Sequence, residues 1–184
     1  NYVDGKKQGE FIDYYKSGEV EIKSNYVDGQ LQGEKIGYYE SGVVSFKGNY
    51  VDGKKQGLVI NYYESGEVKS KGNYVDGKKQ GEDLTYYESG AVMYKSNYVD
   101  GKSQGEDLMY YESGVVQSKS IDVRCYISYY KSGVVYQKSY EVDDVQHGEQ
   151  IFYYESGAVK EKVNWVDGIP GEFKNYKDGE LIED

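Results

Sequence analysis

Polar and apolar residues alternate in two short runs within each segment of this chain. In the first 24 residues the runs are Glu10 to Tyr15 and Val20 to Val27, each bounded by turn-forming residues. Alternation with period two predicts strands, with one set of side chains on each face. Lys16-Ser17-Gly18-Glu19 separates the runs, and Gly18 can take the positive φ that a tight two-residue hairpin requires. Centring the hairpin on Ser17-Gly18 places Tyr15 opposite Val20, with Ser24 and Tyr26 on the same face. Ile12, Tyr14, Lys23, Asn25 and Val27 fall on the opposite face. The second connection, Asp28-Gly29-Gln30-Leu31-Gln32-Gly33, reads as a longer loop opened by Asp-Gly and closed by Gly. Apolar residues do not recur at i, i+3, i+4, so no helix is predicted.

This two-strand unit recurs every 24 residues. Asn-Tyr-Val-Asp-Gly begins at Asn1, Asn25, Asn49, Asn73 and Asn97, and Tyr-Tyr-x-Ser-Gly follows at Tyr14, Tyr38, Tyr62, Tyr86 and Tyr110. A fixed period of this size marks an array of one supersecondary unit, not a globule with a closed core. Two columns hardly vary: Tyr15, Tyr39, Tyr63, Tyr87, Tyr111, Tyr130, Tyr154 and Tyr176, and Val20, Val44, Val68, Val92, Val116, Val135, Val159 and Leu181. A cross-strand Tyr–Val pair contributes roughly 0.2–1 kcal/mol over Ala–Ala. The expected fold is all-β: an elongated, twisted, largely single-layer antiparallel meander of tandem hairpins. Tyr rings stack along it and Lys stems lie over them. Eight units form one continuous domain: 1–24, 25–48, 49–72, 73–96, 97–120, 121–139, 140–163 and 164–184. The sixth is five residues short, and in the seventh Asp144 replaces the turn glycine.

Composition narrows the function. Only 38% of residues are hydrophobic and 24 of these are Tyr, which leaves little for a sealed core. The net charge of −10 disfavours nucleic acid and anionic membrane surfaces, both of which need a basic footprint. One cysteine, Cys125, excludes an internal disulfide. The chain opens at Asn1 without Met and in phase with the repeat, which reads as a processed or trimmed product.

Candidate chemistry is sparse. His147 falls where other units carry Gln8, Gln32, Gln56, Gln80 and Gln104, and reads as an exposed loop substitution. A Cys125–His147 pair lacks a third orienting group. Gly5-Lys6-Lys7-Gln8-Gly9 and its copies share only Gly and Lys with a phosphate-binding loop, which needs Gly-Lys-Ser/Thr opening a helix. Asp28 with Glu34, and Asp100 with Glu106, offer too few carboxylates for calcium, and an Asp-Gly turn explains the aspartates better. No metal, cofactor or catalytic residue is expected, and the chain reads as non-enzymatic. The row Tyr15, Tyr39, Tyr63, Tyr87, Tyr111, Tyr130 and Tyr154 has the surface to bind something, and it could equally hold a thin sheet together. The irregular segment, with Arg124, Cys125, Tyr126 and His147, is the place where an otherwise uniform array becomes distinctive.

Tyr26-Val27-Asp28-Gly29-Gln30-Leu31-Gln32-Gly33-Glu34 through Tyr38-Tyr39-Glu40-Ser41-Gly42 resembles the MORN repeat, in its bacterial MORN-2 variant, and copies cover nearly the whole chain. The resemblance implies a hairpin array for protein or membrane association, without a chemistry of its own. Some relatives carry a lipid-kinase label, but nothing here resembles a kinase catalytic segment. Others carry an antitoxin label, and an acidic repeat surface could cover a basic toxin. A weaker resemblance, to cell-wall-binding repeats, suggests carbohydrate or choline, although those rely on Trp and this chain has one. The expectation is a scaffold that binds a protein partner or acts in adhesion, exported or at the surface of a bacterium. A cytoplasmic antitoxin or immunity-type protein is the alternative.

Overall fold

The computed structural model describes residues 2–121, 125–177 and 179–182. Among them there is no helix, and the chain forms two compact units, Asn1–Ser103 and Gln104–Asp184. In the first unit, four hairpins pair Gly9–Tyr14 with Val20–Val27, Gly33–Tyr38 with Val44–Val51, Lys54–Tyr62 with Val68–Val75, and Lys78–Tyr86 with Val92–Val99. In the second, they pair Glu106–Tyr110 with Val116–Ile121, Cys125–Tyr129 with Val135–Val142, Gly148–Tyr153 with Val159–Val166, and Lys174–Lys177 with Glu180–Ile182. Each hairpin also pairs with the next in its unit. Among the described residues no pairing returns a unit's last strand to its first, so each unit is an open antiparallel meander.

The two turn types are the reverse of those expected. The tyrosine hairpin closes on three residues, Lys16-Ser17-Gly18, because the Tyr15 amide donates to the Glu19 carbonyl at 2.8 Å and the Gly18 amide to the Tyr15 carbonyl at 3.0 Å. Gly18 sits third, at φ 97, where a three-residue loop demands a left-handed residue. The register therefore moves by one only beside the turn: Tyr14, not Tyr15, pairs with Val20, and from Asp13–Ile22 onward the expected register holds. Glu21 is left over as a β-bulge, a device that bends the strand and re-aims a side chain. The same shift precedes Tyr38, Tyr62, Tyr86, Tyr110, Tyr129 and Tyr153. In the last copy Tyr176 pairs with Leu181, so it belongs to the Tyr14 column and not to the Tyr15 column.

The Asp-Gly connection is the tight one. Val27 pairs with Gln30 across Asp28 at φ 49 and Gly29 at φ 83. Two successive left-handed residues make the turn whose twist matches a right-twisted hairpin. The rest of the expected loop is a bulge, where the Gln32 amide donates to the Asn25 carbonyl at 2.8 Å before the strand resumes. Asp143 and Asp144 form this turn without glycine, at φ 52 and 62, and Val142 still pairs with Val145.

Packing is thin. Among the described apolar residues only Val59, Leu84 and Val163 are buried. One face carries a column of small residues, with Ser24, Gly48, Gly72, Ser96 and Ser139 all buried. Larger groups lean over these positions: a Cβ on Gly48 would lie 3.0 Å from a Val59 methyl. Nearby, a Cβ on Gly37 would run into the Phe46 ring. Stability must therefore come from contacts between neighbouring strands that add along the array.

Candidate functional site

Two rails of hydrogen bonds join successive repeats, one at each end of the strands. At the hairpin end, the Tyr15 hydroxyl donates to the Tyr38 carbonyl, Tyr39 to Tyr62 and Tyr63 to Tyr86, each at 2.6 Å. In the second unit Tyr111 donates to Tyr129 at 3.1 Å, Tyr130 to Tyr153 at 2.8 Å and Tyr154 to Tyr176 at 3.3 Å. Tyr87 occupies the same position at its own hairpin, with its amide donating to the Ala91 carbonyl. The row proposed as a candidate surface thus spends its described hydroxyls on internal clasps. Only Tyr154 of the row is exposed; the other rings are half-buried. Burial, followed by the Glu21, Glu40 and Glu64 carboxylates, pushes the Tyr15 phenol above its ordinary value.

At the loop end, the Asp28 amide donates to Gln8 Oε1, Asp52 to Gln32, Asp76 to Gln56 and Asp100 to Gln80, all at 2.9–3.0 Å. The glycine after each aspartate donates to the previous loop, as Gly29 does to the Lys7 carbonyl at 2.9 Å. Asp28 and Asp100 are turn residues held through their amides, and Glu106 forms an ion pair with Lys119. Among the described residues no group of three His, Cys, Asp or Glu is placed to hold a metal ion.

Between the rails, one face carries a ladder that sequence reasoning missed. Its cross-strand partners run Ile12, Lys23, Ile36, Lys47, Ile60, Lys71, Leu84 and Lys95. In the second unit they run Leu108, Lys119, Ile127, Lys138, Ile151 and Lys162. The signal within a hairpin was available as a period-24 column, but the step from one hairpin to the next was not. Lysine stems cover the aliphatic side chains, and Lys23, Lys47 and Lys71 place ammonium groups 5.8, 5.9 and 5.6 Å from the ring centroids of Tyr38, Tyr62 and Tyr86. Lysines thus lie over these tyrosine rings, as expected. Glutamates flank the ladder, with Lys95–Glu82 at 2.5 Å and Lys162–Glu149 at 3.3 Å. On the other face burial lowers the Lys79 ammonium, but the Asp83 carboxylate 2.8 Å away outweighs it and holds Lys79 above its ordinary value.

The irregular segment is only partly assembled into a site. Arg124 lies outside the described residues. Cys125 is a half-buried free thiol whose register partners are Ile121 and Tyr140. His147 takes the rail position of Gln: its Nδ1 accepts from the Asp167 amide at 3.5 Å and lies 3.6 Å from the Asp167 carboxylate. Its amide donates to the Tyr140 carbonyl at 2.9 Å, so both residues border Tyr140, yet the side-chain partner of His147 is Asp167. Burial, then the charge and hydrogen bond of Glu141, raise the Tyr126 phenol above its ordinary value.

Comparison with known families gives one match. Residues 7–28, 31–52, 55–76, 79–100 and 146–167 each match the MORN repeat variant, and together they make up more than half of the chain. No curated protein matches the chain. The unmatched stretch between Asp100 and Gln146 contains the short repeat.

Proposed function

We propose a function from one premise: this chain belongs to the MORN repeat family, in its variant form. It is a repeat scaffold, and its function is to bind a protein partner, in interaction or adhesion, without catalysing a reaction. The observation that carries this reading is how the side chains are divided. Clasp tyrosines and loop glutamines are used internally, whereas the ladder of aliphatic residues and lysines presents the same chemistry at seven of the eight hairpins. Repetition along a line suits contact at many points with an extended surface, not convergence on one reacting atom. Immobilised protein should retain a partner from bacterial or host lysate. Replacing Lys23, Lys47 and Lys71 together by Glu should reduce that retention at least about tenfold, with unchanged circular dichroism. Equal retention by parent and variant, or none above a blank resin, would refute the reading.

A cytoplasmic antitoxin or immunity role is the second reading, favoured by charge. Residues 104–184 hold 8 Lys and Arg against 16 Asp and Glu, a surface suited to a basic toxin. Export to a bacterial surface is the compartment we propose for the first reading. Fractionation of the source cells separates the two: envelope or medium for the first, cytoplasm for the second.

A further inference from the structure

We propose that the second unit carries an aromatic pocket for a quaternary ammonium group, a site distinct from the Ile–Lys ladder. The pocket, of ≈ 440 Å³, is lined by Tyr111, Tyr129, Tyr130, Tyr136, Lys131 and Glu155. It lies at the tip of the short repeat, and Tyr136 is the one aromatic residue among the bulge positions of the seven hairpins that have a bulge. Tyr136 is the bulge residue of its hairpin, left over between the pairs Tyr129–Val135 and Ser128–Gln137. The same column elsewhere holds Glu21, Ser45, Lys69, Met93, Gln117 and Lys160. Lys69 shows what a cation does there: its ammonium sits 5.5 Å from the centroid of the Tyr63 ring. At the short repeat Tyr136 instead meets Tyr130 edge-on, with centroids 5.2 Å apart and planes at 76°. A second ring wall thus stands where Lys69 places its ammonium in the third repeat.

Two of the four tyrosine walls are fixed through their hydroxyls. The Tyr111 and Tyr130 hydroxyls are tied to the Tyr129 and Tyr153 carbonyls, and Phe152 backs Tyr136 at 6.0 Å. What remains is ring surface with the Tyr129 and Tyr136 hydroxyls, the Lys131 ammonium and one carboxylate, Glu155, and four ring faces beside a carboxylate suit a methylated cation. Lys131 stands where the first repeat has Lys16 and where Glu40, Glu64, Glu88, Glu112 and Glu155 stand in others, and its ammonium lies 6.0 Å from the Tyr111 centroid. Among the described residues no ammonium lies over Tyr130 or Tyr136. The ligand chemistry is that of choline, either free or as a lipid head group.

The test is calorimetric titration of the full chain with choline and with 3,3-dimethylbutanol, its uncharged isostere. Choline should saturate a single site and the isostere should bind at least about tenfold more weakly, because the ring faces select charge. Tyr136→Lys restores the residue type of Lys69 and Lys160 and should abolish choline binding without lowering the unfolding midpoint. Glu155→Gln should weaken it about threefold, and Lys131→Glu should strengthen it by a similar factor. Co-sedimentation with phosphatidylcholine vesicles would identify the lipid head group as the source; binding of free choline alone would identify a soluble ligand. No saturable heat, equal binding of choline and isostere, or an unchanged affinity in Tyr136→Lys would overturn the proposal.

Discussion

The two units use one repeat to different degrees. In the first, the three described clasps are uniform at 2.6 Å and the loop rail at 2.9–3.0 Å. In the second, the clasps spread over 2.8–3.3 Å, and His147 receives its amide at 3.5 Å. Charge divides in the same way. Residues 1–103 are nearly balanced, with 14 Lys against 16 Asp and Glu, and eight of the ten net negative charges fall in residues 104–184. The strand ladder survives in both. A hairpin array tolerates divergence in its rails as long as the backbone pairing is kept, and the looser unit is where side chains such as Tyr136 are free to acquire a separate role.

This contrast can be broken in steps. The largest effect should come from Gly37→Val, which drives a side chain into the Phe46 ring; a loss of about 2–3 kcal/mol in urea unfolding is expected. Gly90→Val meets open space, so its penalty is conformational: φ is 84, and about 1–2 kcal/mol should be lost. Glu88→Ala beside it should fall within about 0.5 kcal/mol of the parent. Equal melting temperatures for these two variants would contradict the three-residue turn.

The rails give smaller differences. Tyr63→Phe removes a 2.6 Å clasp and should destabilise by about 1 kcal/mol, whereas Tyr154→Phe, at 3.3 Å and exposed, should change stability by only a few tenths of that. Asp144→Gly should stabilise by about 0.5–1 kcal/mol, since the position is left-handed at φ 62 and glycine adopts that at no steric penalty. Thermal unfolding of each variant beside the parent checks both.

The smallest effect is alkaline. Because the Tyr15 phenol is raised above 10.0 in the folded chain, its stabilising contribution is complete below pH 10. That contribution is lost as pH rises through the higher folded-state value. The urea midpoint should decline above pH 10, and Tyr15→Phe should make the decline slightly shallower.

The strands, the antiparallel meander and the period were legible from alternation and glycine spacing alone. The turn types were not, because a glycine third in a loop and a glycine second in a loop look alike until the bulge at Glu21 is counted. That single residue moved Tyr15 out of the ladder and into the clasp. The Ile–Lys ladder was legible within a hairpin, where Ile12 and Lys23 share a face, but not between hairpins. Lys23 and Ile36 become neighbours only through the pairing of one hairpin with the next. Asp144 could be flagged from the sequence as a missing glycine. That aspartate can hold the same left-handed turn emerged only from its backbone angle.

The central claim is that the second tyrosine of each hairpin is a clasp between repeats, so that the Ile–Lys face and the Tyr136 pocket are what the scaffold presents. Its most direct test is equilibrium urea unfolding of the triple variant Tyr39→Phe/Tyr63→Phe/Tyr130→Phe, which removes three hydroxyls and leaves every ring in place. Three hydrogen bonds of about 1 kcal/mol each should add to a loss of about 3 kcal/mol, read as a clear fall in the midpoint. A midpoint unchanged within about 0.3 kcal/mol would mean that these hydroxyls hold nothing together, and the row would return to being a free surface.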